Sequence, residues 1–209
     1  MTEVETEWWL VRHAPTINPE NVVYGSLDLD IAMPSVKRFD ALSKMLPSDP
    51  IWIISHLSRT RKTLDGILAA RGISNAEIVI EENFAEQNFG DWEGRPSGEV
   101  WADINKLGMR WPADIQPPGG EKFSTVATRV REAATSLSQR YSGQKIVAVV
   151  STVDNKPLNE EELIEKIVST LPSPKGRDYT PGQLLGCVSG ELGLRKFLES
   201  NGHELVVTN

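Results

Sequence analysis

Cysteine is nearly absent. Cys187 is the single one among 209 residues, so no intrachain disulfide can form. That fits a reducing compartment. Histidine is scarce too, with three: His13, His56 and His203. No apolar run reaches the ~20 residues needed to span a bilayer. Met1 to Glu7 holds three glutamates and no basic side chain, which argues against a secretory signal or transit peptide. A cytoplasmic protein is expected. Excess positive charge is also lacking: the net charge is -7. A chain this acidic repels nucleic acid and anionic membrane, so neither is an expected partner. It can still grip a small phosphorylated molecule where a few arginines converge.

What is present has an alternating character. Trp8 to Val11, Ile51 to Ile54, Glu77 to Ile80 and Ile146 to Val150 read as short buried strands, and Leu205 to Val207 as a last one. Helices are expected over Ser35 to Met45, Ser58 to Arg71, Val100 to Leu107 and Phe123 to Tyr141. Ser58 is placed to cap its helix and Gly72 to end it. Apolar positions Phe123, Val126, Ala127, Val130, Ala134 and Leu137 recur at helical spacing. Strands apolar throughout indicate a sheet covered on both faces. The pattern predicts an α/β fold. In such folds, sites form beyond the carboxyl ends of strands. Arg12-His13 and His56 to Arg59 both fall there.

After Ser151 the character changes. Thr152 to Pro157 is polar, and Asn159 is placed to cap an acidic helix over Glu160 to Val168. Pro172, Pro174, Gly176, Pro181 and Gly182 then make a linker-like stretch. A further helix is expected over Glu191 to Ser200.

Three places carry candidate chemistry. Arg12-His13 ends a buried strand. A neutral imidazole attacks phosphorus, and guanidinium groups hold phosphoryl oxygens. A surface Arg-His pair is the plain alternative. Arg59 stands at a helix start, where phosphate binds well; a solvated helix residue is the plain alternative there, and the one favoured for Arg61 and Lys62. Glu86 lies in the irregular stretch Phe84 to Pro96. A partly buried carboxyl group keeps its proton near neutral pH and can donate it to a leaving oxygen. Spacing alone does not choose Glu86 over Glu81, Glu82, Asp91 or Glu93.

Taken together, these segments resemble the histidine-phosphatase (phosphoglycerate-mutase-like) superfamily over about residues 7–151. Leu10 to Thr16 (L-V-R-H-A-P-T) resembles its L-[VI]-R-H-[GA]-x-T signature. Gly25 to Ile31 resembles G-x-x-D-x-P-L, with Asp30 in place of proline. Ser55 to Thr63 resembles S-x-L-x-R-[AT]-x-x-T, and Glu86 to Gly94 resembles E-x-x-F-G-x-W-E-G. Pro118-Gly119-Gly120-Glu121 with Arg129 resembles a further element. The last tryptophan motif and Tyr24-Gly25 look most like the alpha-ribazole phosphatase branch.

The resemblance implies a three-layer αβα sandwich, incomplete at its C-terminal side. It implies that His13 accepts the phosphoryl group and Glu86 protonates the leaving oxygen. Arg12 and Arg59 would hold the phosphoryl oxygens, with Thr16, Gly25 and Ser26 as further substrate-binding residues. No metal and no cofactor are expected; the partner is a small phosphorylated metabolite. One family feature is missing. A second histidine normally follows the last core strand in a V-S-H-G-[GT] turn, but here Ser151 precedes Thr152-Val153-Asp154.

The tail has its own likeness. Asp178 to Gly186, continuing through Ser189 to Arg195 and Leu198 to His203, resembles a segment near the N-terminus of bacterial NAD-dependent formate dehydrogenase. It carries no dinucleotide fingerprint. The reading is therefore of a composite chain: a histidine-phosphatase-like domain over 1–151 and an atypical tail over 152–209, dehydrogenase-like from about 178. A divergent phosphatase whose tail completes the fold is the competing reading. Functionally, a phosphomonoester hydrolase, impaired by the missing histidine, stands beside an inactive phosphate-ester-binding module or fusion remnant.

Overall fold

The computed structural model describes residues 6–106, 116–151 and the backbone of 205–208. The helices expected over Glu160 to Val168 and Glu191 to Ser200 lie outside the described residues, as do Leu107 and Thr152.

Among the described residues five strands form one sheet: β1 (Glu7–Arg12), β2 (Ile51–Ile54), β3 (Ile78–Ile80), β4 (Lys145–Val150) and β5 (Leu205–Thr208). Their spatial order is β3-β2-β4-β1-β5, and every pairing is parallel. Among the described residues four α-helices accompany them: α1 (Val36–Met45), α2 (Ser58–Ala70), α3 (Ser97–Lys106) and α4 (Phe123–Arg140).

The two-residue period of a strand sorts the side chains into two cores. Trp8, Leu10, Ile53, Ile146, Ala148 and Val150 face α4, against Val126, Val130, Ala134 and Leu137. Val11, Trp52, Ile54, Val147 and Val149 face α1 and α2, against Phe39, Leu64, Ile67 and Leu68. Helices thus cover both faces, which is the expected three-layer αβα arrangement and explains why these strands are apolar throughout. A third, smaller core joins α3 to the loop before it through Val23, Phe89, Trp92, Val100, Trp101 and Ile104.

At the side where incompleteness was expected, β5 pairs with β1 in register Trp8↔Leu205 to Val11↔Thr208. The tail's last strand is thus an edge of the sheet.

Several element ends differ from expectation. Ser58 is the first residue of α2, not its cap; Leu57 precedes the helix and provides no side-chain cap. The Ser58 hydroxyl and amide both donate to Asp28 Oδ1, at 2.8 and 2.9 Å. A carboxylate from another loop therefore does the capping, which no local rule anticipates. Gly72 does follow the end of α2 in the left-handed region, at φ +68°. Helix α3 starts three residues before Val100, at Ser97, whose hydroxyl donates to Asn21 O at 2.7 Å.

Candidate active site

The C-terminal ends of β1, β4 and β2 lie side by side in the sheet, and each carries one part of the site. His13 follows β1, Ser151 follows β4, and Ser55 to Arg59 follow β2. The His13 amide donates to Val150 O at 3.0 Å, so the loop after β1 is pinned to the end of β4. The Ala14 amide donates to Thr63 Oγ1 at 2.8 Å, which anchors the same loop to α2.

His13 is buried, at 4% exposure. Its Nδ1 lies 2.6 Å from Ala14 O. A carbonyl only accepts, so Nδ1 carries the proton and Nε2 keeps its lone pair. Nε2 is buried and has no hydrogen-bond partner among the described residues. Burial pulls the His13 pKa down to about 4; the bond to Ala14 opposes this, and the charges of Arg59 and Arg12 add to it. The ring is therefore neutral at pH 7, with a lone pair available for attack.

Arg59 is fully buried. Its guanidinium donates in three directions: Nε to Ser151 Oγ at 3.1 Å, Nη1 to Leu27 O at 2.8 Å and Nη2 to Gly25 O at 2.7 Å. Its Cζ also lies 5.2 Å from the centroid of the Tyr24 ring. Burial lowers the Arg59 pKa, opposed by the charges of Glu86, Tyr24, Asp28 and Glu93. A guanidinium nonetheless stays charged.

Glu86 is buried as well. Oε1 accepts from the Gln87 amide at 3.0 Å, and Oε2 has no partner among the described residues. Burial raises the Glu86 pKa, opposed by the Gln87 bond and by the charges of Arg59, Arg129 and Arg12. His13 and Glu86 thus share the fields of the same two arginines. Arg12 is half-buried at the last position of β1 and engaged within the protein.

The loop bearing Glu86 is held from α4. Arg129 pairs with Glu121 through Nε–Oε1 at 2.8 Å and Nη2–Oε2 at 3.0 Å. It also donates to the carbonyls of Asn83, Ala85 and Glu86. Arg129 therefore acts as a clamp on the loop.

Arg12 and Arg59 lie near enough to both His13 and Glu86 for their charges to act on them. Gly25 and Ser26 stand one layer back, their described polar contacts turned toward protein. Gly25 O accepts from Arg59, and the Ser26 amide and hydroxyl both bond Glu93. Thr16 is half-buried in an isolated antiparallel bridge to Ile31. Asp30, which replaces the motif proline, accepts from the Ile31 amide and from Lys62 Nζ, each at 2.7 Å. Arg61 bonds Asp65 on the exposed face of α2, as expected of a solvated residue. His56 is exposed, and Thr152 and His203 lie outside the described residues. Sequence reasoning missed Tyr24, Ser151 and Thr63 as partners of this cluster. For Ser151 the available signal was its place directly after a buried strand.

Comparison with known proteins points to one superfamily. The profile of the Histidine phosphatase superfamily (branch 1) matches residues 8–153. The chain belongs to this superfamily. Phosphoserine phosphatase 1 of Hydrogenobacter thermophilus is 31% identical over 150 residues, covering 69% of this chain and 70% of that protein. A 2,3-bisphosphoglycerate-dependent phosphoglycerate mutase of Methylobacterium radiotolerans is 30% identical over 148 residues, 66% of this chain and 70% of that protein. Among solved structures, the alpha-ribazole phosphatase from Shigella flexneri has a TM-score of 0.58 at 25% identity, over 69% of this chain and 73% of that one.

A second likeness is separate. Forty residues, 19% of this chain, are 80% identical to formate dehydrogenase of Pseudomonas sp. (strain 101). They span 10% of that enzyme's length. Among the described residues, no helix is long and apolar enough to cross a membrane.

Proposed function

We propose that the chain is a phosphomonoester hydrolase that works through a phosphohistidine on a small phosphorylated metabolite. The observation that carries this reading is the bond from His13 Nδ1 to Ala14 O, which leaves a neutral Nε2 as nucleophile within the field of Arg12 and Arg59.

In the first step Nε2 attacks phosphorus, and the bond from phosphorus to the ester oxygen breaks. Glu86, whose protonated form burial favours, gives its proton to the leaving oxygen. Arg12 and Arg59 stabilise the charge on the nonbridging oxygens. In the second step water attacks phosphorus, the N–P bond breaks, and Glu86 regains a proton as phosphate leaves. The two guanidiniums supply the positive charge, so the scheme calls on no metal or cofactor. Thr16, Gly25 and Ser26 belong to the wall around the phosphoryl group in this reading; Gly25 acts through its carbonyl's bond to Arg59, and Ser26 through its place between Gly25 and Leu27.

Residues 1–151 form the hydrolase domain in this reading. Residues 152–209 are an atypical tail of dehydrogenase-like origin from about 178. The family profile and the 40-residue likeness support such a composite. Thr152 stands where the superfamily's second histidine is expected, which favours weak turnover or a phosphate-ester-binding remnant as the second reading.

The deciding experiment is phosphate release from p-nitrophenyl phosphate and a panel of small phosphomonoesters, with His13→Ala as control. Release that vanishes in the control supports the hydrolase. Release no greater than the control leaves the binding remnant.

A further inference from the structure

The hydrolase scheme uses Arg59 but does not say what orients it. Two of its three described acceptors, Gly25 O and Leu27 O, flank Ser26 in a single loop. Where that loop sits therefore decides where the guanidinium points.

Glu93 is the carboxylate that holds Ser26. Its Oε1 accepts from the Ser26 amide at 2.7 Å and from the Phe89 amide at 2.9 Å. The Ser26 hydroxyl lies 2.9 Å from Oε1 and 2.8 Å from Oε2. One carboxylate thus ties the loop that holds Arg59 to the loop that bears Glu86. Charge-assisted bonds of this kind are roughly twice as strong as neutral ones.

The backbone is shaped for this approach. Gly25 has φ +37°, and a Cβ there would lie 2.5 Å from Glu93 Oε1 and 2.5 Å from Gln87 O. Only glycine lets the carboxylate come so close. The negative charge of Glu93 also favours the charged form of Arg59. Backbone bonds from Val23 to Arg95 O and from Gly94 to Val23 O, at 2.9 and 2.8 Å, brace the far end of the same loop. They do not reach the peptides that bond Arg59.

We propose that Glu93 is a positioning residue that sets the Arg59 guanidinium for phosphoryl oxygens by fixing Ser26 and, with it, the carbonyls of Gly25 and Leu27. The assignment of Arg59 to phosphate rests on the hydrolase reading; the coupling from Glu93 to Arg59 does not.

The test is proton exchange at Arg59 Nε–H, followed by nitrogen-15 NMR on the full chain, with the Val149 amide of β4 as internal reference. Loss of such bonds in Glu93→Ala should speed Arg59 Nε–H exchange by roughly tenfold. Val149 should stay close to wild type. Glu93→Gln keeps a carbonyl for the two amides and an NH2 for the Ser26 hydroxyl, so it should restore most of the protection. Should Glu93→Ala not fold, Glu93→Asp, one methylene short of its donors, replaces it with the same expectation. Unchanged Arg59 exchange, or an equal rise at Val149, overturns the proposal. Neither readout uses phosphate. A chain that releases no phosphate yet shows the coupling loses the hydrolase reading alone; an active hydrolase without the coupling loses the Glu93 proposal alone.

Discussion

Arg59 Nε donates to Ser151 Oγ at 3.1 Å, joining the first turn of α2 to the residue directly after β4. The two residues are far apart in sequence, and both side chains are buried. The bond links the arginine proposed to hold phosphate to the strand after which the superfamily's second histidine is expected.

Arg59→Lys should therefore be a severe change. A lysine cannot reproduce a fork that reaches Ser151, Leu27 and Gly25 together. Binding of inorganic phosphate should weaken by about tenfold or more. Ser151→Ala should cost less, since it removes one of those acceptors. Titration calorimetry with phosphate checks the order; equal affinity in Arg59→Lys and wild type contradicts it.

The pH dependence of kcat/KM should follow the two buried groups. His13 must be neutral to attack, and its pKa lies at about 4, so the acid limb falls near that value. Glu86 must be protonated, so the alkaline limb reports its raised pKa. Stability has its own pH dependence. Between pH 6.5 and about 4 the unfolded chain binds a proton at His13 that the folded chain does not. Stability therefore drops as pH falls through that window, by about 3 kcal/mol. His13→Gln should flatten this slope in urea titrations at several pH values. A slope equal to wild type would count against the buried neutral imidazole.

Glu86→Gln should trade activity for stability. The unfolded carboxyl group ionises above its ordinary 4.5, while burial raises the pKa of the folded one. Stability is therefore lost as pH rises above 4.5, and an amide avoids that loss. The melting temperature at pH 7.5 should rise while phosphate release falls by roughly 10²-fold or more for want of an acid. A variant that melts lower than wild type would contradict the assignment.

Restoring the histidine should raise turnover. If Thr152 stands where a charge-stabilising donor belongs, its absence costs on the order of 10²–10³ in rate. Thr152→His should recover part of that. Equal, high activity in both proteins would show that this chain does without the second histidine.

Much of the architecture was legible without coordinates. The apolar runs at Trp8, Ile51 and Ile146 became β1, β2 and β4, because four or five consecutive apolar residues, too few for a helix, suit a strand covered on both faces. Periodicity likewise located α4, whose buried Val126, Val130, Ala134 and Leu137 lie on one stripe. Helix starts were read less well. Ser58 looked like a cap, but its helix is held by Asp28 from another loop.

By itself, the sequence determined the alternating fold and the superfamily and pointed to candidate site residues, because these depend on local periodicity and on motifs of neighbouring residues. Only the tertiary structure decided their chemical states. Burial lowers the pKa of His13 and raises that of Glu86, and burial is a sum over the whole chain. The partners of Arg59, namely Tyr24, Gly25, Leu27 and Ser151, come from two separate loops. No spacing rule brings such loops together; the parallel sheet does, by aligning the ends of β1, β4 and β2.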